Sequence, residues 1–403
     1  MMRVRIINSM SIVAFFLMVL FTPINQYANS LVYFGAILIW LYTANVLDSE
    51  FIKGYEDYFI FLLVIIILDS LLALSMGNMT LLYQSIAGKS IAYFSFVFFL
   101  FYRRNLSLLK WPLIFAFLSL LGTSFFTYKG NLMFPNASRI LADVSNPYFS
   151  KCKSMLIGGY DFIYSLVLLV FPISLLVKTK GASIGIKIVM IFVLSFFCAN
   201  ILIASYFIGI ILTVLSLLLA LSSARNIFAT FFVTLFLFIF LYIFKDSLLQ
   251  FCIDFGNTIH SHMLIVRATQ LLHNTYQQDS GEGSRLVIYM NAVWNFFDSP
   301  LYGKLLGEGF HRRAGHSGLL EYLSNYGILG SIYFFYFAKI FKTTFSSFLT
   351  SMYRRCYIMT FTLALIFFTV DIFDFSPCLC LIVFFISPCM LLLMEQNEST
   401  LVS

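Results

Sequence analysis

Apolar residues run along this chain in blocks of about 15 to 20, and polar residues gather in the gaps between them. A helix crossing the roughly 30 Å hydrocarbon core of a bilayer needs about 20 such residues. We read twelve blocks as candidate spans, at 10–24, 31–47, 58–76, 84–102, 111–128, 161–177, 184–201, 205–222, 227–244, 322–341, 356–373 and 376–394. Lipid offers no partners to exposed backbone amides, and the blocks are too long and too uniformly apolar for alternating barrel strands. The expected fold is therefore all-α, a polytopic integral membrane helical bundle of about 12 transmembrane helices. There is no internal repeat, heptad run, low-complexity tract or linker, so residues 1–403 read as a single integral membrane domain.

Composition narrows the class further. A chain of 403 residues that is 61% hydrophobic and only 11% charged cannot bury that surface in one soluble core. The net charge of +7 is unevenly spread. Alternating connections place Arg3, Arg5, Lys53, Arg103, Arg104, Lys110, Lys178, Lys180, Lys187, Arg225, Lys339, Lys342, Arg354 and Arg355 on one side, whereas the opposite short connections hold only Lys89. The positive-inside rule makes the basic side cytoplasmic and puts both termini there. Arg3, Arg5 and the apolar run after them imitate a signal peptide, but an uncleaved first helix keeps the span count even.

Two long outer segments remain, 129–160 and 245–321, and long outer loops are where sites are commonly carried. The first has Lys129, Arg139, Lys151 and Lys153 against Asp143. The second balances its charges and contains all five histidines, His260, His262, His273, His311 and His316, at no standard zinc spacing. Cys152 and Cys252 also fall in these segments, where an oxidising periplasm could join them. Asp69, Lys89, Asp371 and Asp374 fall within apolar spans; Asp69 and Lys89 suit an internal pair or a polar cavity.

The polar groups needed for catalysis are concentrated between Gly283 and Gly330. Leu286, Met290, Val293, Trp294 and Phe297 share one helical face over 284–297, with Ser284 as a plausible N-cap. Arg285 then lies in the first turn, where its charge opposes the helix dipole. Its fork and the free amides could meet an anion; the alternatives are a pair with Glu282 or Glu308, or simple solvation. Gly303, Gly307, Gly309 and Gly315 allow tight turns beside Arg312 and Arg313. His316 precedes a membrane helix whose Gly327 and Gly330 would allow close packing on a neighbour. There it can transfer protons or simply serve as a capping or hydrogen-bonded imidazole.

Gly283-Ser284-Arg285, Trp294, Pro300, Gly307-Glu308-Gly309, His316-Ser317 and Gly327-Ile328-Leu329-Gly330, in a membrane setting, resemble the signature region of the bacterial O-antigen polymerase (Wzy) and O-antigen ligase family. The resemblance covers about fifty residues closely and the rest only in architecture. It implies a GT-C-like, metal-independent glycosyltransferase of lipopolysaccharide or other surface polysaccharide biosynthesis, without cofactors. The enzyme would lie in the bacterial inner membrane with its active site facing the periplasm. Its substrate would be an oligosaccharide linked to undecaprenyl pyrophosphate, with a chain-length regulator as protein partner and no nucleic acid.

By position, Arg285 resembles the family arginine that holds the departing pyrophosphate, and His316 the histidine that orients or deprotonates the acceptor hydroxyl. Arg139, Arg312, Arg313, Glu308 and Glu321 are the further candidates for holding substrate. One departure matters. Ligases commonly carry an arginine at the outer start of a mid-chain span, whereas this chain reads Ala204-Ser205-Tyr206-Phe207-Ile208-Gly209. Arg139 could supply that charge from the first outer segment, which favours a repeat-unit polymerase over the alternative, a ligase transferring glycan to lipid A core. A polysaccharide flippase is the reading from another class, but it would spread polar residues through its spans and keep its outer connections short.

Overall fold

The structure is a computed structural model describing residues 2–26, 30–45, 94–104, 106–134, 137–141, 145–179, 181–204, 206–221, 243–258, 285–307, 317–370 and 376–402, with scattered positions within 53–67 and 265–272. Among the described residues there are helices and no strand. In chain order they are α1 (Met2–Leu20), α2 (Thr22–Asn25), α3 (Ser30–Ala44), α4 (Leu106–Met133), α5 (Ala137–Ile140), α6 (Phe149–Ser154), α7 (Tyr160–Lys178) and α8 (Ile184–Ala204). There follow α9 (Phe207–Leu221), α10 (Lys245–Thr258), α11 (Arg285–Asp298), α12 (Leu301–Leu306), α13 (Gly318–Ser347), α14 (Ser351–Val370), α15 (Pro377–Leu381) and, beyond a π-helical turn at Ile382–Ile386, α16 (Ser387–Val402). A further helical stretch covers 94–102.

Among the described residues, four helical segments are long and apolar enough to cross a membrane: Leu108–Met133, Tyr160–Lys178, Ile184–Ala204 and Pro377–Asn397. They coincide with the spans expected at 111–128, 161–177, 184–201 and 376–394. Shorter apolar helices lie at Ile6–Leu20, Leu31–Ala44 and Ile208–Ala220; α13 covers the expected 322–341, and α14 the expected 356–373 as far as Val370. Nearly all of the spans expected at 58–76 and 227–244, residues 84–93 of the span expected at 84–102, and Asp69, Lys89, Asp371 and Asp374 lie outside the described residues.

The core is aromatic. Phe15, Phe16, Trp40, Phe98, Tyr102 and Phe385 meet edge to face or tilted, for instance with Trp40 and Phe98 ring centroids 4.6 Å apart. Such contacts add to the burial of large side chains. Two segments are central: α7, from whose Phe162 to Ile173 every residue is buried, and the helix from Pro377, in which every residue from Cys378 to Leu391 is buried. By contrast, α8 turns Ile184, Ile188, Val189 and Phe192 outward, as a lipid-facing helix should.

The two ends of the bundle differ in chemistry. At one end the Arg103 guanidinium lies 3.7 Å from the centre of the Phe348 ring, the Arg354 guanidinium donates to the Ser346 and Leu349 carbonyls, and the Lys178 ammonium donates to the Ala220 carbonyl. At the other end, the last residues of α1 meet the first residues of α7 and α15 around a cavity. The 19 residues of α7 separate the two ends by about 28 Å at 1.5 Å per residue.

Gly327 departs from expectation. It interrupts α13 with φ 65° and ψ −165°, so the expected continuous helix is two helices meeting at a break. The neighbour it packs against is the end of α12. A Cβ built on Gly327 would stand 2.5 Å from the Leu305 carbonyl and 2.6 Å from the Gly307 amide nitrogen. Gly307 itself has φ 84°. Two glycines in conformations that other residues rarely adopt thus let the second outer segment dock, backbone against backbone, on α13.

Candidate functional site

The first outer segment is tied down by a polar ladder on α4. Thr123, Thr127 and Asn131 recur every four residues, share one helical face, and are buried. A buried hydroxyl or amide is costly unless bonded, and each of these finds a partner outside its own helix. Thr123 Oγ1 donates to the Leu20 carbonyl at 2.7 Å and accepts from the Thr22 amide, fixing the end of α1. Thr127 Oγ1 accepts from the Gly158 amide at 2.8 Å, fixing the entrance to α7. Asn131 donates to Ser138 Oγ at 2.7 Å and accepts from the Ser138 amide at 3.1 Å. Because Asn131 is held this way, α4 continues to Met133 and the segment expected to begin at 129 starts one turn later.

Ser138 is followed by Arg139, so the ladder ends at the residue of interest. The half-buried guanidinium donates from Nε to the Tyr160 hydroxyl at 3.1 Å, and its carbon lies 5.5 Å from the centre of the Tyr206 ring. Tyr206 stacks on Tyr160 with centroids 4.3 Å apart and planes 23° from parallel, and it tilts against Tyr164, which meets Phe367 at 4.5 Å. Burial alone would lower the arginine pKa, but Tyr160, by its charge and its hydrogen bond, together with Tyr206 and Tyr164, outweighs burial and raises it above the ordinary value. The remaining N–H groups of the fork have no partner among the described residues.

Removing the ladder's last rung should be measurable. Asn131→Ala leaves the buried Ser138 amide unsatisfied, a loss of about 1–3 kcal/mol. The purified variant should melt several degrees below wild type, and an unchanged melting curve would show that this rung does not hold the segment.

Next to Arg139, with Tyr160 as the shared wall, lies a cavity of about 590 Å³. That volume is in the usual range for small-molecule sites. Its polar lining includes Thr22, Asn25, Gln26, Tyr33, Lys153, Tyr160, Asp161 and Ser376. Asn25 Nδ2 donates to the Met18 carbonyl at 2.9 Å and to the Tyr33 hydroxyl at 3.0 Å, while that hydroxyl donates to the same carbonyl at 2.8 Å. Asp161 is exposed in the first turn of α7, where the helix dipole favours a carboxylate.

The second outer segment is described in part. A helix covers Arg285–Asp298, as expected over 284–297, with Arg285 as its first residue; the Arg285 side chain and Ser284 lie outside the described residues. Met290, Val293, Trp294 and Phe297 are exposed on it. Glu308, Arg312, Arg313, all five histidines and the side chain of Glu321 are likewise outside. Ser317, the residue after His316, is described and buried. It is the N-cap of α13, accepting from the Leu320 amide, and its Oγ donates to the Thr369 carbonyl at 2.8 Å. Capping therefore falls to Ser317 rather than to His316. The start of α13 is packed on the end of α14 that also carries Phe367, the residue against Tyr164 and the Arg139 cluster.

Cys152 and Cys252 are unpaired, contrary to the bridge that an oxidising compartment would permit. Cys152 is buried beside Ala137 and Ile157, and burial, partly offset by Lys151, raises its pKa and keeps it a thiol.

Sequence reasoning missed Tyr160, Tyr206 and Asp161. The last is charged at the very start of an apolar block, a signal that went unused. The every-fourth-residue repeat of Thr123, Thr127 and Asn131 was also legible. No family model, curated protein or solved structure matches the chain.

Proposed function

We propose that this chain is a polysaccharide polymerase that joins lipid-linked repeat units on the outer face of the bacterial inner membrane. One observation carries the reading. The stretch 204–209 lacks the arginine common in ligases, and Arg139 from the first outer segment reaches into it, its guanidinium 5.5 Å from the Tyr206 ring. The charge is thus supplied by a different element, within a cluster that adjoins a cavity of substrate size. The packing of the α13 start on the same end of α14 also supports the reading, because it brings the chain next to His316 towards that cluster.

In the proposed reaction the acceptor hydroxyl oxygen bonds to the anomeric carbon of the donor glycan. The bond from that carbon to the phosphate oxygen breaks, and undecaprenyl pyrophosphate departs with the electron pair. Arg285 and Arg139 hold the departing pyrophosphate, since planar forks match phosphate oxygens better than point charges do. His316 takes the acceptor proton. The charge distribution supports a cytoplasmic location for the end with Arg103, Lys178 and Arg354, which leaves the cavity facing the periplasm.

Deleting the gene tests the reading. Surface polysaccharide should then carry single repeat units, and the wild-type gene should restore the ladder of lengths. Loss of all surface repeat units would indicate a transporter or ligase instead.

A further inference from the structure

We infer that the cavity between α1, α7 and α15 is a sugar subsite, in which Asp161 and Lys153 bind hydroxyls of a glycan ring. This rests on the reading of the chain as a repeat-unit polymerase. The lining chooses among the three parts of a lipid-linked glycan. A polyprenyl chain would meet a carboxylate, an ammonium and several hydroxyls, whose desolvation it could not compensate. A pyrophosphate would meet one cation, Lys153, alongside the like-charged Asp161 carboxylate. A sugar ring suits both kinds of surface. Its hydroxyls can donate to Asp161 and accept from Lys153, and its C–H faces can lie on Phe149, Ile157 and Phe162.

Location agrees with chemistry. Tyr160 lines the cavity and also accepts the hydrogen bond from Arg139, so one side chain separates the sugar subsite from the cation proposed to hold phosphate. The walls are fixed before substrate arrives. Thr127 holds Gly158, Thr123 holds the end of α1, and Asn25 with Tyr33 ties that end to α3. Fixed walls reduce the entropy lost on binding. The ring in this subsite belongs either to the donor or to the acceptor, and the chemistry is the same for both.

Two probes separate sugar from phosphate. One is the phosphate-free oligosaccharide released by mild acid from the cell's own lipid-linked repeat units; the other is undecaprenyl pyrophosphate bearing no sugar. Binding to protein in lipid nanodiscs is measured by calorimetry for wild type, Asp161→Asn, Lys153→Gln and Arg139→Ala. Asp161 and Lys153 are both exposed, so the first two variants should fold, which melting curves will verify.

Asp161→Asn and Lys153→Gln should each weaken the oligosaccharide at least tenfold and leave undecaprenyl pyrophosphate unchanged, and Arg139→Ala should do the reverse. Raised KM for the lipid-linked donor in Asp161→Asn would place the donor ring in the subsite, and raised KM for a short acceptor the acceptor ring. Wild-type oligosaccharide affinity in both variants overturns the subsite, even if polymer is made. Oligosaccharide binding that depends on Asp161, in a protein that makes no polymer, would keep the subsite and overturn the polymerase.

Discussion

Arg139→Ala should reduce polymer formation about a hundredfold while the protein still inserts and accumulates. Charge-assisted contacts to a departing pyrophosphate are worth about 3 kcal/mol or more of the barrier, and every 1.36 kcal/mol is tenfold in rate. Arg139→Lys should lose much of the activity as well, because an ammonium keeps the charge but cannot reproduce the fork. The lysine variant separates the proposed role from a structural one. A guanidinium that merely packs against Tyr206 contributes about 0.5–2 kcal/mol of stability, a loss that would show in melting and not in turnover. Full polymer length and amount from Arg139→Ala, at normal protein level, would remove it from the site.

Arg285→Ala and His316→Ala are expected to have effects as large or larger. Losing a general base typically costs 10²- to 10⁴-fold, and losing Arg285, the other cation on the pyrophosphate, should cost about as much as losing Arg139. Either variant should leave single repeat units on the cell surface in place of a ladder of lengths. Single units show that export and ligation still proceed, an outcome that a flippase defect or a ligase defect would not allow. His316→Ala is the sharper test, since Ser317 already caps α13 and anchors it to Thr369. The variant should therefore melt like wild type, and a wild-type ladder from it would sink the proposed proton transfer.

What was legible in the sequence was what depends on one helix at a time. Length and uniform apolarity located α4, α7, α8 and the helix from Pro377, because lipid demands internally satisfied backbone. The apolar face and limits of α11 could be read from spacing, since a helix of 3.6 residues per turn imposes them. What depends on two elements meeting was not legible. Thr123, Thr127 and Asn131 are unremarkable singly, and only their partners Leu20, Gly158 and Ser138 reveal the ladder. Gly327 was expected to ease packing between helices, but it breaks its own helix to receive the end of α12. Arg139 was legible as a charge in an outer segment, and Tyr206 as a place without one. Their proximity needed the fold.

This single chain should join repeat units by displacing undecaprenyl pyrophosphate. Purified wild-type protein in lipid nanodiscs, given lipid-linked repeat units in the presence of a metal chelator, tests it most directly. A ladder of lipid-linked products two, three and more units long should form, with one undecaprenyl pyrophosphate released per bond formed. Recovery of the input units alone, with protein folded by its melting curve, would contradict it.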